Sequence, residues 1–218
     1  MSDRAAPVVL VAPSGTGKTT LASRLIDGSG PYVFSVSATT REPRDGERDG
    51  IDYHFLEPKE FGDRVDEGWF AEWAPVHDHM YGTPRSELDA ASARGENVVL
   101  DIDVQGASQI RASVPDAKLI FVLPPSVDIM LARLINRGTE EPESIARRLE
   151  SAVVELQAVP DFDYVVVNDD LDECVSKIRN IVEGQEPPAF HEQDAEQMRR
   201  EIVELLEGYY NMYRQDSE

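Results

Sequence analysis

This chain of 218 residues is poor in lysine, nearly free of cysteine and without a long apolar run. Each shortage excludes something. The single Cys174 cannot form an internal disulfide, so no disulfide framework supports the fold. Cys174 recurs with Leu171, Ile178 and Ile181 at helical spacing, which makes it a buried helix residue rather than a nucleophile. No apolar stretch approaches the roughly 18 residues of a membrane span. The start, MSDRAAPVVLV, lacks the basic opening of a secretory leader. A cytoplasmic protein that binds no membrane is the expectation. Only four of the 21 basic residues are lysine, against 42 acidic residues and a net charge of −21. That balance argues against nucleic acid as a partner, since such binding needs a basic face. Two readings fit the acidic surface: a protein adapted to high salt, or an ordinary acidic protein from a GC-rich genome. The dependence of melting temperature on KCl separates them.

What is present begins at Ala12–Thr19, APSGTGKT. The run Pro7–Val11 before it is short, apolar and β-branched, as in a buried parallel strand. The segment Thr20–Asp27 after it has a helical pattern and stops at Gly28. Strand, glycine-bearing loop, Lys-Thr and helix is the order a phosphate-cradling loop needs. Backbone N–H groups and the helix N-terminus supply partial positive charge, Lys18 adds a full charge, and the Thr19 hydroxyl suits Mg²⁺. Ala12, Pro13, Ser14, Gly15, Thr16, Gly17, Lys18, Thr19 and Thr20 are therefore the expected triphosphate-binding residues. The usual pattern, G-x-x-x-x-G-K-[ST], fails only at Ala12.

Further along, Tyr32–Ser37 reads as a strand and Ala38–Asp52 as a polar loop. Tyr53–Leu56 and Trp69–Val76 are strand-like, and Pro58–Glu67 and Pro84–Arg94 are helical. Val98–Asp103 reads as a buried strand ending in two carboxylates. Val104–Ser113, Val127–Ile135, Ser144–Val159 and Leu171–Val182 are helical, with strands at Lys118–Leu123 and Tyr164–Val167. Strands alternating with helices predict an α/β fold with a parallel central sheet between helical layers. Residues 38–95 break the alternation and look like an insert, and Asn136–Glu143 is a polar loop, which if it closes makes about 134–148 a lid. After residue 183 comes a linker with Pro187-Pro188, then an amphipathic helix, Ala195–Tyr213. Its apolar stripe suits docking on its own domain or a dimer contact, so both monomer and homodimer stay open.

Four clusters carry chemistry. Arg41 and Arg44 lie beside Tyr53, and planar guanidinium forks with a phenol suit phosphate oxygens. Glu72, Tyr81, Thr83 and Asp103 offer carboxylates and hydroxyls. Such groups match guanine, whose N1 and N2 donate and whose O6 accepts, and surface carboxylates are the plain alternative. Asp101, at the end of an apolar strand, suits Mg²⁺ or its waters. Arg133, Arg137, Arg147 and Arg148 straddle the polar loop; if it is a lid they can close on transferring phosphate, and a helix pair laced with surface ion pairs through Glu140, Glu141 and Glu143 is the plain alternative.

Together APSGTGKTT, FSVSATTREPR, DGIDYHF, EWAPVHDHMYGTP, VVLDIDVQGA, RGTEEPESIARRL and DYVVVNDDL resemble the guanylate kinase family in order and spacing, from about residue 7 to 182. The resemblance implies phosphoryl transfer from ATP to GMP, and to dGMP, with Mg²⁺ held by Thr19 and Asp101. It implies a P-loop three-layer sandwich with a GMP-binding insert and a mobile lid. It assigns the GMP phosphate to Arg41, Arg44, Tyr53 and Tyr81, and guanine to Ser37, Glu72, Gly82, Thr83 and Asp103. It assigns the transferring phosphoryl to Lys18, Arg41, Arg133, Arg137 and Arg148, and places Asn168 near adenine. Ala12 and the pair His79-Met80 depart from the usual pattern. A non-catalytic module of the same fold, or a kinase for another phosphorylated acceptor, is the alternative.

Overall fold

A computed structural model describes residues 5–27, 30–76, 78–135, 142–185 and 192–215, with side chains described for all of these except 142–144, 192 and 209–215. Five strands hydrogen-bond in the order β2-β7-β1-β8-β9: β1 (Val8–Val11), β2 (Tyr32–Phe34), β7 (Asn97–Asp101), β8 (Lys118–Leu123) and β9 (Tyr164–Val167). The β2–β7 and β8–β9 pairs are parallel. Val8, Val9, Ile120, Phe121 and Val122 are fully buried, which is why these strands read as unbroken apolar runs. The expected parallel sheet is present.

The chain divides into two compact units, Met1–Val9 with Leu25–Leu119, and Leu10–Arg24 with Ile120–Glu218. The first holds a second sheet of order β4-β3-β6-β5, from β3 (Ala38–Thr39), β4 (His54–Phe55), β5 (Phe70–Val76) and β6 (His79–Pro84). Two of these strands differ from the sequence expectation. β3 lies inside the predicted loop 38–52, and no strand is predicted at β6. Hydrogen-bonded pairing with neighbours overrides the weak local preference of Ala-Thr and of a run holding Gly82 and Pro84. Phe61 of α2 (Pro58–Asp66) stacks on Phe70 at 4.5 Å between ring centroids and closes a small core beneath this sheet. Helix α3 (Arg85–Arg94) leads into β7, and α4 (Val104–Ser113) packs on β5. Gln109 of α4 takes the Trp73 N–H at 3.1 Å and donates to the Trp73 carbonyl at 2.7 Å, so edge strand β5 is tied by side-chain amide bonds.

The second unit starts with α1 (Lys18–Ile26), which opens two residues earlier than predicted because Lys18 itself is helical. Helices α5 (Val127–Ile135), α6 (Pro142–Gln157) and α7 (Leu171–Val182) follow. The last helix, α8 (Glu192–Gln215), packs on α6, on α5 and on the 3-10 turn Val159–Asp161. It buries Ala195, Met198, Ile202 and Leu206. Each of the three larger side chains contributes roughly 1.5–3 kcal/mol by leaving water. Of the predicted stripe, Met198, Ile202 and Leu206 are buried while Leu205 is 43 % exposed, and the side chains of Tyr209 and Met212 lie outside the described ones. No helix among the described residues is long and apolar enough to cross a membrane.

Candidate functional site

The loop after β1 is shaped by two glycines. Gly15 (φ +86°) and Gly17 (φ +92°) adopt a backbone conformation that disfavours any side chain. At Gly15 a Cβ would also lie 2.9 Å from the Met130 carbonyl oxygen and 3.0 Å from Leu134 Cγ, so the bare glycine lets α5 approach. The Thr16 N–H closes a turn on the Pro13 carbonyl at 3.1 Å, and the Leu21 N–H takes the Gly17 carbonyl at 3.0 Å as α1 begins. Ala12 is buried directly after β1. Lys18 and Thr19 stand in the first turn of α1, with Thr20 following and exposed.

Three distant side chains converge on this loop. Arg133 Nη1 donates to the Thr16 carbonyl at 2.8 Å, and Asn168 Nδ2 donates to the same oxygen at 2.8 Å. Arg148 Nη1 donates to Ser14 Oγ at 3.3 Å. Arg133 comes from the last turn of α5, Arg148 from α6, and Asn168 from the residue after β9. Arg147 is exposed. Arg137, with the rest of residues 136–141 of the predicted lid, lies outside the described residues.

In the first unit, β6 organises the remaining residues. Tyr81 and Thr83 are two apart on this strand and so share one face. Thr83 opposes Glu72 of β5, and its hydroxyl donates to Glu72 Oε1 at 2.6 Å. Glu72 is buried at 5 % exposure. A Cβ on Gly106 would lie 2.8 Å from Glu72 Oε2, so that glycine makes room for the carboxylate at the start of α4. Asp103 is there too, and its Oδ1 accepts the Gly106 N–H at 2.8 Å. Asp103 caps α4 and does not belong to β7, which ends at Asp101. Burial raises the Glu72 pKa above the ordinary carboxylate value, the Thr83 bond opposes this, and the Asp103 charge adds to the rise. The Thr83 proton is therefore committed to Glu72. Gly82 pairs with Ala38, which sets Ser37 beside the Thr83 end of β6. The hydrogen bond described for Ser37 runs through its carbonyl, from the His54 N–H at 2.9 Å.

Tyr81 marks the second cluster. Arg41 lies 5.4 Å from the Tyr53 ring centroid and 5.9 Å from that of Phe55, and the neighbouring Glu47 and, less so, Tyr81 raise its pKa. Tyr53 meets Tyr81 edge-on, with ring centroids 6.2 Å apart, and burial pushes its phenol pKa up. Arg41 is not solitary. Its Nη1 and Nη2 grip Glu47 Oε2 and Oε1 at 3.0 and 2.9 Å, and Nη1 also reaches the Glu42 carbonyl at 2.7 Å. Glu47 accepts the Arg44 N–H at 2.7 Å as well. Arg41 holds the Glu47 carboxyl below the usual carboxylate range, with the Arg44 N–H adding to this. The Arg44 side chain is exposed on this turn.

Glu47 is the residue that the sequence argument missed. The signal was its spacing, Arg41-x-x-Arg44-x-x-Glu47, which one turn folds into a bidentate pair.

Mg²⁺ is compatible with the chain by donor chemistry alone. Thr19 and Asp101 offer the hard oxygens this ion prefers. Among the described residues, no three His, Cys, Asp or Glu side chains gather as a metal site. Such a set suits an ion that keeps waters and phosphate oxygens as most of its shell.

A parallel sheet whose first strand feeds a glycine-shaped phosphate loop, with basic side chains folded onto that loop, defines the class of P-loop nucleotide-binding α/β proteins. The guanylate kinase family model matches residues 4–185. A guanylate kinase from Myxococcus xanthus is 45% identical over 199 residues, 91% of this chain and 90% of that one. One from Nitratidesulfovibrio vulgaris is 50% identical over 173 residues, 79% of this chain and 83% of that one. The crystal structure of guanylate kinase from Anaplasma phagocytophilum matches with a TM-score of 0.66 at 32% identity, covering 85% of this chain and 88% of that one. The chain belongs to the guanylate kinase family.

Proposed function

We infer that this chain transfers the γ-phosphoryl group of ATP to GMP, giving ADP and GDP. The observation that carries the acceptor assignment is the pair of clusters along β6. Arg41, Tyr53 and Tyr81 suit a phosphate, and Glu72, Thr83 and Asp103 suit a purine edge with two donors. Guanine N1–H and N2–H match the open oxygen of Glu72 and the Asp103 carboxylate. Adenine carries an acceptor at N1 and leaves the buried Glu72 facing a lone pair, which the site rejects strongly. O6 needs a donor, and with the Thr83 proton on Glu72, the Ser37 hydroxyl and the main chain around Gly82 are the groups beside it. We take residues 38–95 as the acceptor insert and 134–148 as the lid.

The attacking GMP oxygen is already ionised at neutral pH, so no general base is needed. The residues must align two anions and neutralise them. Lys18, Arg133 and Arg148 serve the triphosphate, with Arg137 in the same role, and Arg41 and Arg44 hold the acceptor phosphate. Thr19 and Asp101 would hold Mg²⁺, which would add positive charge beside the phosphate oxygens. The partners are small nucleotides, and the compartment is the cytoplasm. Coupled ADP release with GMP, dGMP, AMP and UMP tests the reading. Turnover with GMP and dGMP alone is expected. Equal use of AMP overturns the base assignment. No turnover with any acceptor returns the chain to a binding module, a reading that the intact Lys18 and Thr19 disfavour.

A further inference from the structure

Asn168 has a second task open to it besides lying near a base. It is buried at 5 % exposure, and its amide donates to the Thr16 carbonyl, the same oxygen that Arg133 reaches. Thr16 is fully buried, yet its own Oγ1 has no hydrogen-bond partner among the described residues. The side chain therefore does not anchor this residue; its main chain does, through the Pro13 turn on one side and the shared carbonyl on the other. A peptide unit is planar and trans, so its C=O and N–H point in opposite directions. With the Thr16 carbonyl held by Asn168 and Arg133, the Gly17 N–H of the same peptide faces away from both. The opposite direction is the one in which a phosphate loop presents its N–H groups. Gly17 makes this arrangement possible, since a Cβ there would come within 3.2 Å of Asn168 Nδ2 and 3.8 Å of Arg133 Nη1.

We propose that Asn168 is a positioning residue for the phosphate loop, sharing with Arg133 a clamp on the Thr16 carbonyl that aims the Gly17 N–H at the bound triphosphate. The proposal rests on reading Ala12–Thr19 as the triphosphate site. It assigns Asn168 an effect that is blind to the base, because what it orients is a main-chain donor. An adenine contact by the same side chain would act only on ligands that carry adenine.

Calorimetric titration of the full chain with ATP and, separately, with inorganic tripolyphosphate tests this, beside the KM for GMP. Asn168→Ala is expected to weaken ATP and tripolyphosphate by the same factor, about five- to tenfold, the usual worth of one neutral hydrogen bond. The KM for GMP stays unchanged. Loss of ATP affinity with tripolyphosphate unaffected overturns the clamp and makes Asn168 a base contact. Unchanged affinity for both overturns it as well. Asn168→Asp keeps the shape and sets an acceptor against the carbonyl, so it guards against a poorly folded alanine variant. It should weaken both ligands at least as much, and wild-type binding by this variant sinks the proposal. A wild-type chain that binds neither ligand overturns the triphosphate reading itself, which the Asn168 comparison cannot do.

Discussion

Around Ala12–Thr19, the contacts that fix the site end mostly on main-chain atoms. Arg133 and Asn168 both reach the Thr16 carbonyl, and α5 comes close only because Gly15 has no side chain. Around β6, side chains hold side chains, Thr83 on Glu72 and Glu47 on Arg41. On the proposed reading, the triphosphate would thus be met by main-chain groups, and the acceptor's phosphate and base by side chains. A triphosphate cradle made of N–H groups tolerates changes of side chain wherever the backbone keeps its course. A cluster that reads a base edge through a buried carboxylate tolerates almost none, because each lost partner leaves a polar group unpaired.

The contrast can be broken, and the largest expected effect tests it hardest. Lys18→Ala removes the one full charge in the loop's first helical turn. It should lower kcat/KM about 10³-fold, in line with the loss of a preorganised charge-stabilising group, as read by coupled ADP release with GMP. Retained turnover would show that backbone dipoles suffice. Next is Glu72→Gln, which keeps the shape and the Thr83 bond but exchanges an oxygen for a donor. The KM for GMP should rise roughly 100-fold, the upper part of the range for a bidentate base contact, while the KM for ATP holds. The same residue gives a pH signature. Its pKa is raised by burial, so the carboxylate takes up a proton above the ordinary carboxylate range as pH falls. Guanine needs the ionised form, so the KM for GMP should climb on acidification from that higher pH, and in Glu72→Gln this limb should vanish. A limb that persists in the variant places the titration elsewhere.

Smaller effects sharpen the comparison. Glu47→Gln weakens the grip on Arg41 without emptying the space. The KM for GMP should rise about tenfold, the worth of a charge-assisted bond, with the KM for ATP unmoved. A fall in the KM for GMP would reveal that Glu47 competes with the acceptor phosphate instead of orienting Arg41. Least of all, Ala12→Gly should change turnover by less than about twofold, since Ala adds only one methyl to a loop whose donors are main-chain groups. A large gain would mean that Ala12 strains the loop.

The same contrast explains what could be read from the sequence. The cradle is local: strand, glycines, Lys18, Thr19 and helix follow one another, and a contiguous motif announces them. The helices Val104–Ser113, Val127–Ile135 and Leu171–Val182 and the strands Lys118–Leu123 and Tyr164–Val167 fall at the residues that periodicity assigns. The acceptor region was harder, because β3 and β6 exist through cross-strand pairing and not through local preference. Arg41, Arg44, Tyr53, Glu72, Tyr81, Thr83 and Asp103 stand out by side-chain chemistry, and Ser37 and Gly82 through the resemblance alone; that Thr83 gives its proton to Glu72, and that Gly106 makes room for that carboxylate, follow from register and close approach. Asp103 looked like the end of a strand because a helix cap and a strand end favour the same residue type. The use of Asn168 and Arg133 on the Thr16 carbonyl left no trace in spacing.

That last feature bears on the order in which the molecule can be assembled as it is synthesised. The pairs that fix the acceptor clusters are 3, 6 and 11 residues apart, Asp103 with Gly106, Arg41 with Glu47, and Glu72 with Thr83. Those that fix the phosphate loop span 117, 134 and 152 residues. Closing so long a stretch of chain costs more entropy, and the later partners do not exist until the ribosome has made them. A motif made well before its three side-chain partners is thus among the last parts to take its working shape. Until residue 168 has been added, a nascent chain can form the short-range pairs around Glu72 and Arg41 but lacks one of the two side chains that hold the Thr16 carbonyl.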